Sequence, residues 1–236
     1  MSLDHWLLEQ HRLGKHPAVL RFYTWNPPAI SLGYHQHRWP ESWQHLRWNG
    51  DPVDLVRRPT GGRAVLHQGD LTYAVITSGL LGSRSEVYQR VCEFLIQGWR
   101  SLGLDLSYGH SGSNYSHNPN CFGTATLADL VLSNGVKFIG SAQLRRGDAL
   151  LQHGSMRLEP DPDLLRQVFG ESLPLPKLSS NLQGDELHEQ AIVALTAAAS
   201  QHFGAELVTQ PLLQAEWQSV LSQPLLQVAD KPRNQN

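Results

Sequence analysis

LADLVLSNGVKFIGSAQLRRGDALLQHGSMRL, residues 127 to 158, decides the fold. Apolar residues alternate on either side of Asn134-Gly135, and a type I′ turn requires positive φ at both central residues, which this pair tolerates best. The stretch therefore predicts a β-hairpin, with a third strand at 149 to 158 after the charged turn RRGD. A two-residue turn sets Lys137 opposite Leu132, with Ile139 and Leu130 on the same face. Apolar neighbours would desolvate the ammonium, lower its pKa, and make Lys137 a base for a thiol or an attacking amine. The alternative is a side chain that snorkels to the sheet edge as an ordinary solvated charge.

Upstream, VDLVRRPTGGRAVLHQGDLTYAVIT (53 to 77) reads as two or three short strands broken by Pro59 and the glycines. Arg57, Arg58 and Arg63 flank Gly61-Gly62, where missing Cβ atoms let backbone N–H groups approach a ligand and guanidinium groups bind carboxylates or other anions. A tight strand turn with solvent-facing arginines is the other reading. GSAQ (Gly140, Ser141, Ala142, Gln143) and QHGS, with His153 and Gly154, are two more small-residue strand segments. Three such clusters in one sheet predict one pocket.

Outward from these strands the pattern is helical. A helix is expected at 3 to 13, with Leu3, Trp6, Leu7 and Leu8 on one period, then a strand at 18 to 25. NPPAISLGYHQ (26 to 36) excludes regular helix, and the Trp39, Trp43, Leu46 spacing suggests a short one just beyond. Val87, Val91, Leu95, Trp99 and Leu102 make one stripe of a helix over 85 to 104. Two more amphipathic helices are expected at about 185 to 203 and 211 to 222, ahead of a polar tail from about 229. With neither repeats nor a linker, the pattern predicts one α+β domain over 1–236 with a mixed, largely antiparallel β-sheet flanked by helices.

The 236 residues carry 19 Lys plus Arg against 21 Asp plus Glu, so no strong field draws the chain to nucleic acid or an anionic bilayer. Asp4 and Glu9 interrupt any signal-peptide core, and no segment approaches the roughly 20 apolar residues that span a membrane. A cytoplasmic, membrane-free protein is the expectation, with monomer as the default. The two cysteines are too few for a disulfide framework and differ in setting. Cys92 lies beside the apolar stripe of its helix, where burial keeps a thiol inert. Cys121 lies in a long polar stretch (108 to 126), where it is either an accessible nucleophile or an incidental loop cysteine.

Walker, GxSxG, Rossmann and HExxH signatures are absent. His110, His117 and His153 match no common zinc spacing, so neither a metal nor another cofactor is expected.

The motifs PAVLRFYTWNPPAISLGYHQ, VRRPTGGRAVLH with LTYAVI, CF, VKFIGSAQLRR and LLQHGSM, in that order, resemble the lipoate and biotin protein ligase superfamily over roughly residues 1 to 160. The closest resemblance is to its octanoyltransferase group, which carries a cysteine shortly before the lysine strand. The other octanoyltransferase branch places its cysteine after the HG motif, and no cysteine follows His153-Gly154 here. The resemblance implies the lipoate/biotin ligase type of catalytic domain. It also implies movement of an octanoyl group from acyl carrier protein to a lysine of a lipoyl domain, such as the glycine-cleavage H protein. Cys121 would be the acyl-thioester nucleophile and Lys137 the lysine that lowers its pKa. Arg58, Thr60, Gly61, Gly62, Arg63, Ala64, His67, Gly140, Ser141, Ala142, Gln143, His153 and Gly154 would bind substrate. Two other functions remain open: an ATP-dependent lipoate ligase, with Arg58, Arg63 and Lys137 on an acyl-adenylate, and a non-catalytic module that binds lipoyl or carrier domains.

Overall fold

The computed structural model describes residues 1–109, 129–170, 174–176 and 183–223. Cys121 with its CF motif, and the polar tail, lie outside the described residues.

Its centre is a six-stranded antiparallel sheet in the order β1-β7-β11-β10-β9-β8. These strands are β1 (Val19–Tyr23), β7 (Asp70–Thr77), β8 (Leu106–Tyr108), β9 (Asp129–Leu132), β10 (Lys137–Arg146) and β11 (Ala149–Arg157). A second sheet has three strands: β2 (Ala29–Leu32) between a parallel β5 (Asp54–Arg57) and an antiparallel β6 (Val65–His67). A two-stranded ribbon joins β3 (Arg47–Trp48) to β4 (Asp51–Pro52). The mixed, largely antiparallel expectation holds, but the clusters expected in one sheet occupy two. The Gly61-Gly62 loop feeds β6 of the second sheet, and GSAQ and QHGS lie in β10 and β11 of the first.

Alternation along β7 assigns its two faces. Leu71, Tyr73 and Val75 join a core with Val91, Cys92, Leu95 and Trp99 of helix α2 (Arg84–Ser101) and Leu187, Ala191 and Leu195 of α4 (Gly184–Phe203). Ala74 and Ile76 point the other way, onto Trp6, Leu7 and Leu8 of α1 (Ser2–Arg12) and Val220 of α5 (Gln214–Ser222). Each fully buried large apolar side chain contributes about 1.5–3 kcal/mol relative to exposure. Helix α2 starts at a capping box in which Ser83 Oγ accepts from Glu86 N and Glu86 Oε2 accepts from Ser83 N.

Three expectations are revised. Trp39, Trp43 and Leu46 are buried as the spacing suggested, but the helix among them is a single 3-10 turn, Glu41–His45. Helix α3 (Pro162–Phe169) was not expected, although its signals are all present: Asp161 caps Asp163 N and Leu164 N, proline opens the helix, and Gly170 closes it at φ 75°. Its eight residues give the apolar period barely two turns in which to show. The third revision concerns the lysine strand. The turn is not the expected two-residue type I′: Asn134 is not at positive φ, Leu132 O accepts from Gly135 N, and Leu132 N donates to Val136 O, so three residues with Gly135 at φ 78° close the hairpin and pair Lys137 with Val131 rather than Leu132. A bulge between Lys137 and Ile139 then brings Ile139 opposite Leu130. Phe138 and Ile139 both enter the α2 core, so alternation breaks there and Lys137 turns away from Ile139. Among the described residues no helix is long and apolar enough to cross a membrane.

Candidate active site

A cleft of about 640 Å³, counted out into open solvent, lies where the second sheet abuts the first. One wall is the loop from Arg58 to Ala64. Arg58 shapes it from within: Nη1 donates to Ser31 O at 2.9 Å, Nη2 to Gly61 O at 2.9 Å and Arg63 O at 2.7 Å. Gly62 sits at φ 99°, and a Cβ there would lie 2.7 Å from Arg58 Nη2. Gly61 is under no such constraint, since a Cβ on it would meet nothing within 4 Å. Of the glycine pair, only the second is imposed by the backbone.

The facing wall is a register. β10 and β11 pair Gly140 with Ser155, Ser141 with Gly154, Ala142 with His153 and Gln143 with Gln152, so the two small-residue clusters are cross-strand partners. A Cβ on Gly154 would stand 2.5 Å from Ser141 Oγ and 2.7 Å from Gly140 O and Tyr73 Cε1. Bare backbone at this position is a packing requirement.

Alternation then sorts the side chains. His153 and Ser155 face the cleft side, whereas the Ser141 hydroxyl accepts from Tyr73 OH at 2.8 Å on the opposite face. Gln143 Nε2 donates to Gln152 Oε1. Gln152 Nε2 is in turn within reach of Tyr73 OH and Cys92 Sγ. Burial pushes the Cys92 thiol up to about 12, as its place in the helix stripe predicted.

Two buried chains, each a histidine between a carboxylate and a hydroxyl, tie the walls to the sheet. In the first, Asp4 Oδ2 meets His153 Nδ1 at 3.1 Å and Thr60 Oγ1 meets His153 Nε2 at 2.7 Å. Asp4, wholly buried, also accepts from Arg21 and from Tyr23 OH. Burial alone would raise its pKa, but the His153 hydrogen bond and the Arg21 charge hold the carboxyl well below its ordinary value. Burial pushes His153 the opposite way from the Asp4 attraction and prevails, so its pKa lies below the usual 6.5. In the second chain, His67 lies 2.8 Å from both Asp70 Oδ2 and Ser31 Oγ.

Lys137 enters the same cleft, 4% exposed, with Nζ 2.8 Å from Asp129 Oδ1. Its surroundings are thus neither the purely apolar face nor the solvated edge that the sequence offered as alternatives. It is half of a buried ion pair whose other half, Asp129, heads β9 opposite Gly140, so the pair runs diagonally across the hairpin.

Of the residues expected to bind substrate, the structure gathers Arg58, Gly61, Gly62, Arg63, His67, Gly140, Ser141, Ala142, His153 and Gly154 around the cleft with Lys137. Thr60 acts from behind, through His153. Ala64 is buried in the apolar core of the second sheet, and Gln143 is spent on Gln152. Sequence reasoning missed Asp4, Ser31, Asp70 and Asp129. A signal existed for one of them: Asp4 shares the apolar face of α1 with Leu7 and Leu8, an odd position for a carboxylate without a buried partner. Among the described residues no group of three or more His, Cys, Asp or Glu side chains is arranged to hold a metal ion.

Comparison with known proteins follows the same outline. The model of the lipoyl protein ligase A/B catalytic domain matches residues 1–214. Octanoyltransferase LipM of Kyrpidia tusciae is 35% identical over 223 residues, covering 90% of this chain and 79% of that protein. Octanoyltransferase LipM of Bacillus subtilis is 39% identical over 182 residues, 72% of this chain and 64% of that protein, so the chain spans somewhat less than two thirds of that relative. Two solved structures share the fold at lower identity. A lipoate-protein ligase A bound with ATP has a TM-score of 0.75 at 21% identity, covering 93% of this chain and 86% of that one. The bi-partite lipoate protein ligase of Thermoplasma acidophilum has a TM-score of 0.66 at 19% identity, covering 92% and 85%.

Proposed function

The chain belongs to the lipoyl protein ligase A/B catalytic domain family, and from that premise we propose that it is an octanoyltransferase of lipoate biosynthesis, working through an acyl-thioester on Cys121. The donor is octanoyl-acyl carrier protein and the acceptor a lysine of a lipoyl domain, such as the glycine-cleavage H protein. The observation that carries the reading is the buried Lys137–Asp129 pair in a cleft walled by the glycine loop and the paired GSAQ and QHGS strands. The names of the bacterial relatives supply the acyl group and the reaction.

In the first half-reaction the Cys121 thiolate attacks the octanoyl thioester, and the carrier leaves as its thiol. In the second, the acceptor amine attacks the acyl-enzyme, an amide forms, and the cysteine sulfur departs. Thioester exchange is nearly isoenergetic and amide formation is downhill, so no nucleotide is required. Arg58, committed to three backbone carbonyls, maintains the loop. The saturated tail is read by burial, at about 0.8 kcal/mol per CH₂.

The test is mass spectrometry after incubation with octanoyl-acyl carrier protein and no ATP. The expected result is one octanoyl adduct on Cys121, lost in Cys121→Ala together with transfer to a lipoyl domain. Full activity of Cys121→Ala that requires ATP would replace this reading with the ligase. Binding of a lipoyl domain without modification would replace it with the non-catalytic module.

A further inference from the structure

We propose that Ser31, His67 and Asp70 form a proton relay that accepts the proton released when the acceptor amine attacks the acyl-enzyme. The inference rests on the octanoyl-transfer reading and adds a role that reading does not assign.

Hydrogen-bond directions fix the relay. Asp70 Oδ2 accepts from Ser155 Oγ at 2.6 Å and from Thr72 Oγ1 at 3.2 Å, so it acts as an acceptor and His67 Nδ1 carries the proton it shares with Asp70. His67 Nε2 is then the acceptor, and the partner at 2.8 Å, Ser31 Oγ, donates to it. Ser31 Oγ also accepts from Arg58 Nη1 at 3.2 Å. A hydroxyl has one proton and two lone pairs, so these two bonds leave one lone pair. Ser31 and His67 line the cleft from beneath its surface, both buried.

The two histidine chains differ in one respect that sets their roles. Asp4 has Arg21 as its cation, so the His153 chain is already neutralised. Among the described contacts Asp70 has no cation besides a protonated His67, and its Oδ1, buried, has no hydrogen-bond partner. An under-satisfied buried carboxylate gains most when positive charge arrives on its neighbour. Trp25 holds the ring for that event: it stacks on His67 at 4.3 Å between centroids, and its Nε1 donates to Thr72.

The step balances. The neutral amine nitrogen bonds to the acyl carbon, the C–S bond breaks, and its electron pair leaves on the Cys121 sulfur as thiolate. The extra N–H proton passes to Ser31 Oγ as Ser31 gives its own proton to His67 Nε2. The resulting imidazolium is paired with Asp70 and returns its proton to solvent, through Ser31, once the amide departs. Ser31 is the outer member of the relay; His67 and Asp70 act through it.

Single-turnover kinetics with octanoyl-acyl carrier protein and a lipoyl domain separate the two halves, since only the second involves an amine. Ser31→Ala keeps the backbone carbonyl that Arg58 grips. It is expected to form the Cys121 acyl-enzyme at a rate within about twofold of wild type but to transfer at least about tenfold more slowly. The solvent deuterium effect on transfer should vanish in this variant, and Asp70→Asn should behave alike. Wild-type transfer by Ser31→Ala, with the isotope effect retained, would overturn the relay alone. So would equal losses in both halves, because they would mark a scaffold. Failure of the wild-type protein to form any acyl-enzyme would overturn the octanoyl-transfer reading and the relay together.

Discussion

Asp4 in the first turn of α1 and His153 in the middle of β11 are 149 residues apart in sequence and 3.1 Å apart in space. That bond, continued to Thr60, ties three separated segments to one edge of the cleft. It also makes stability depend on pH in a stated direction. The folded pKa of His153 lies below the 6.5 of the unfolded chain, so above 6.5 both states hold a neutral ring and nothing is lost. Below 6.5 the unfolded state takes up the proton first, and stability falls. Denaturant titrations from pH 8 to 5.5 should show this loss in the wild type, and the slope should be shallower in His153→Gln.

Asp4 extends the effect to lower pH with the same sign. Its folded carboxyl titrates below the ordinary 3.8, so the stability it contributes is present above 3.8 and is lost as the pH falls further. Asp4→Asn should therefore flatten the acid limb of the unfolding curve below about pH 4.

The Lys137–Asp129 pair should be far more sensitive to single than to double replacement. Lys137→Met leaves a buried carboxylate facing an apolar side chain, a loss of about 3–5 kcal/mol by denaturant midpoint. Lys137→Met with Asp129→Leu should recover most of that stability while octanoyl transfer stays abolished. Stability and activity would then separate at one site.

The glycines of the two walls should respond in opposite ways. Gly154→Ala puts a methyl within 2.7 Å of Gly140 O and Tyr73, and about 1–3 kcal/mol of overpacking cost should appear in thermal or denaturant unfolding. Gly61→Ala points into open space, and its folding stability should stay within about 0.5 kcal/mol of wild type.

Cys92 should be silent toward alkylation. With its thiol buried and pushed up to about 12, iodoacetamide at pH 7 should leave it unlabelled in the folded protein and label it after denaturation, as read by peptide mass mapping.

Much of this architecture was legible in the sequence because short-range rules produce it. The chain reversal near Asn134-Gly135, the α2 stripe, and the burial of Cys92 all follow from period, turn chemistry and burial within a few residues, although the reversal takes three residues, with Asn134 not at positive φ, instead of the two of a type I′ turn. What stayed hidden depends on which strands meet. Nothing in VRRPTGGRAVLH tells that β6 leaves the sheet that β7 enters only two residues later. His67 has one local partner, Asp70, but its other partner, Ser31, and both partners of His153, Asp4 and Thr60, come from segments that no local pattern links to them. The setting of Lys137 escaped for a subtler reason: a bulge is one residue of irregularity, and a reading by strict alternation places the amine with Ile139.

That irregularity sets a rule of parity for the hairpin. The count of residues from the turn to Gly140 decides whether the amine looks into the cleft or into the packed interior, and one extra residue between β9 and β10 is what makes the count come out right. Chains of this kind should tolerate lengthening at the β10–β11 turn, beyond Arg146, where the strands have already run past the cleft. Between Gly135 and Gly140 even a single deletion would swap inside for outside.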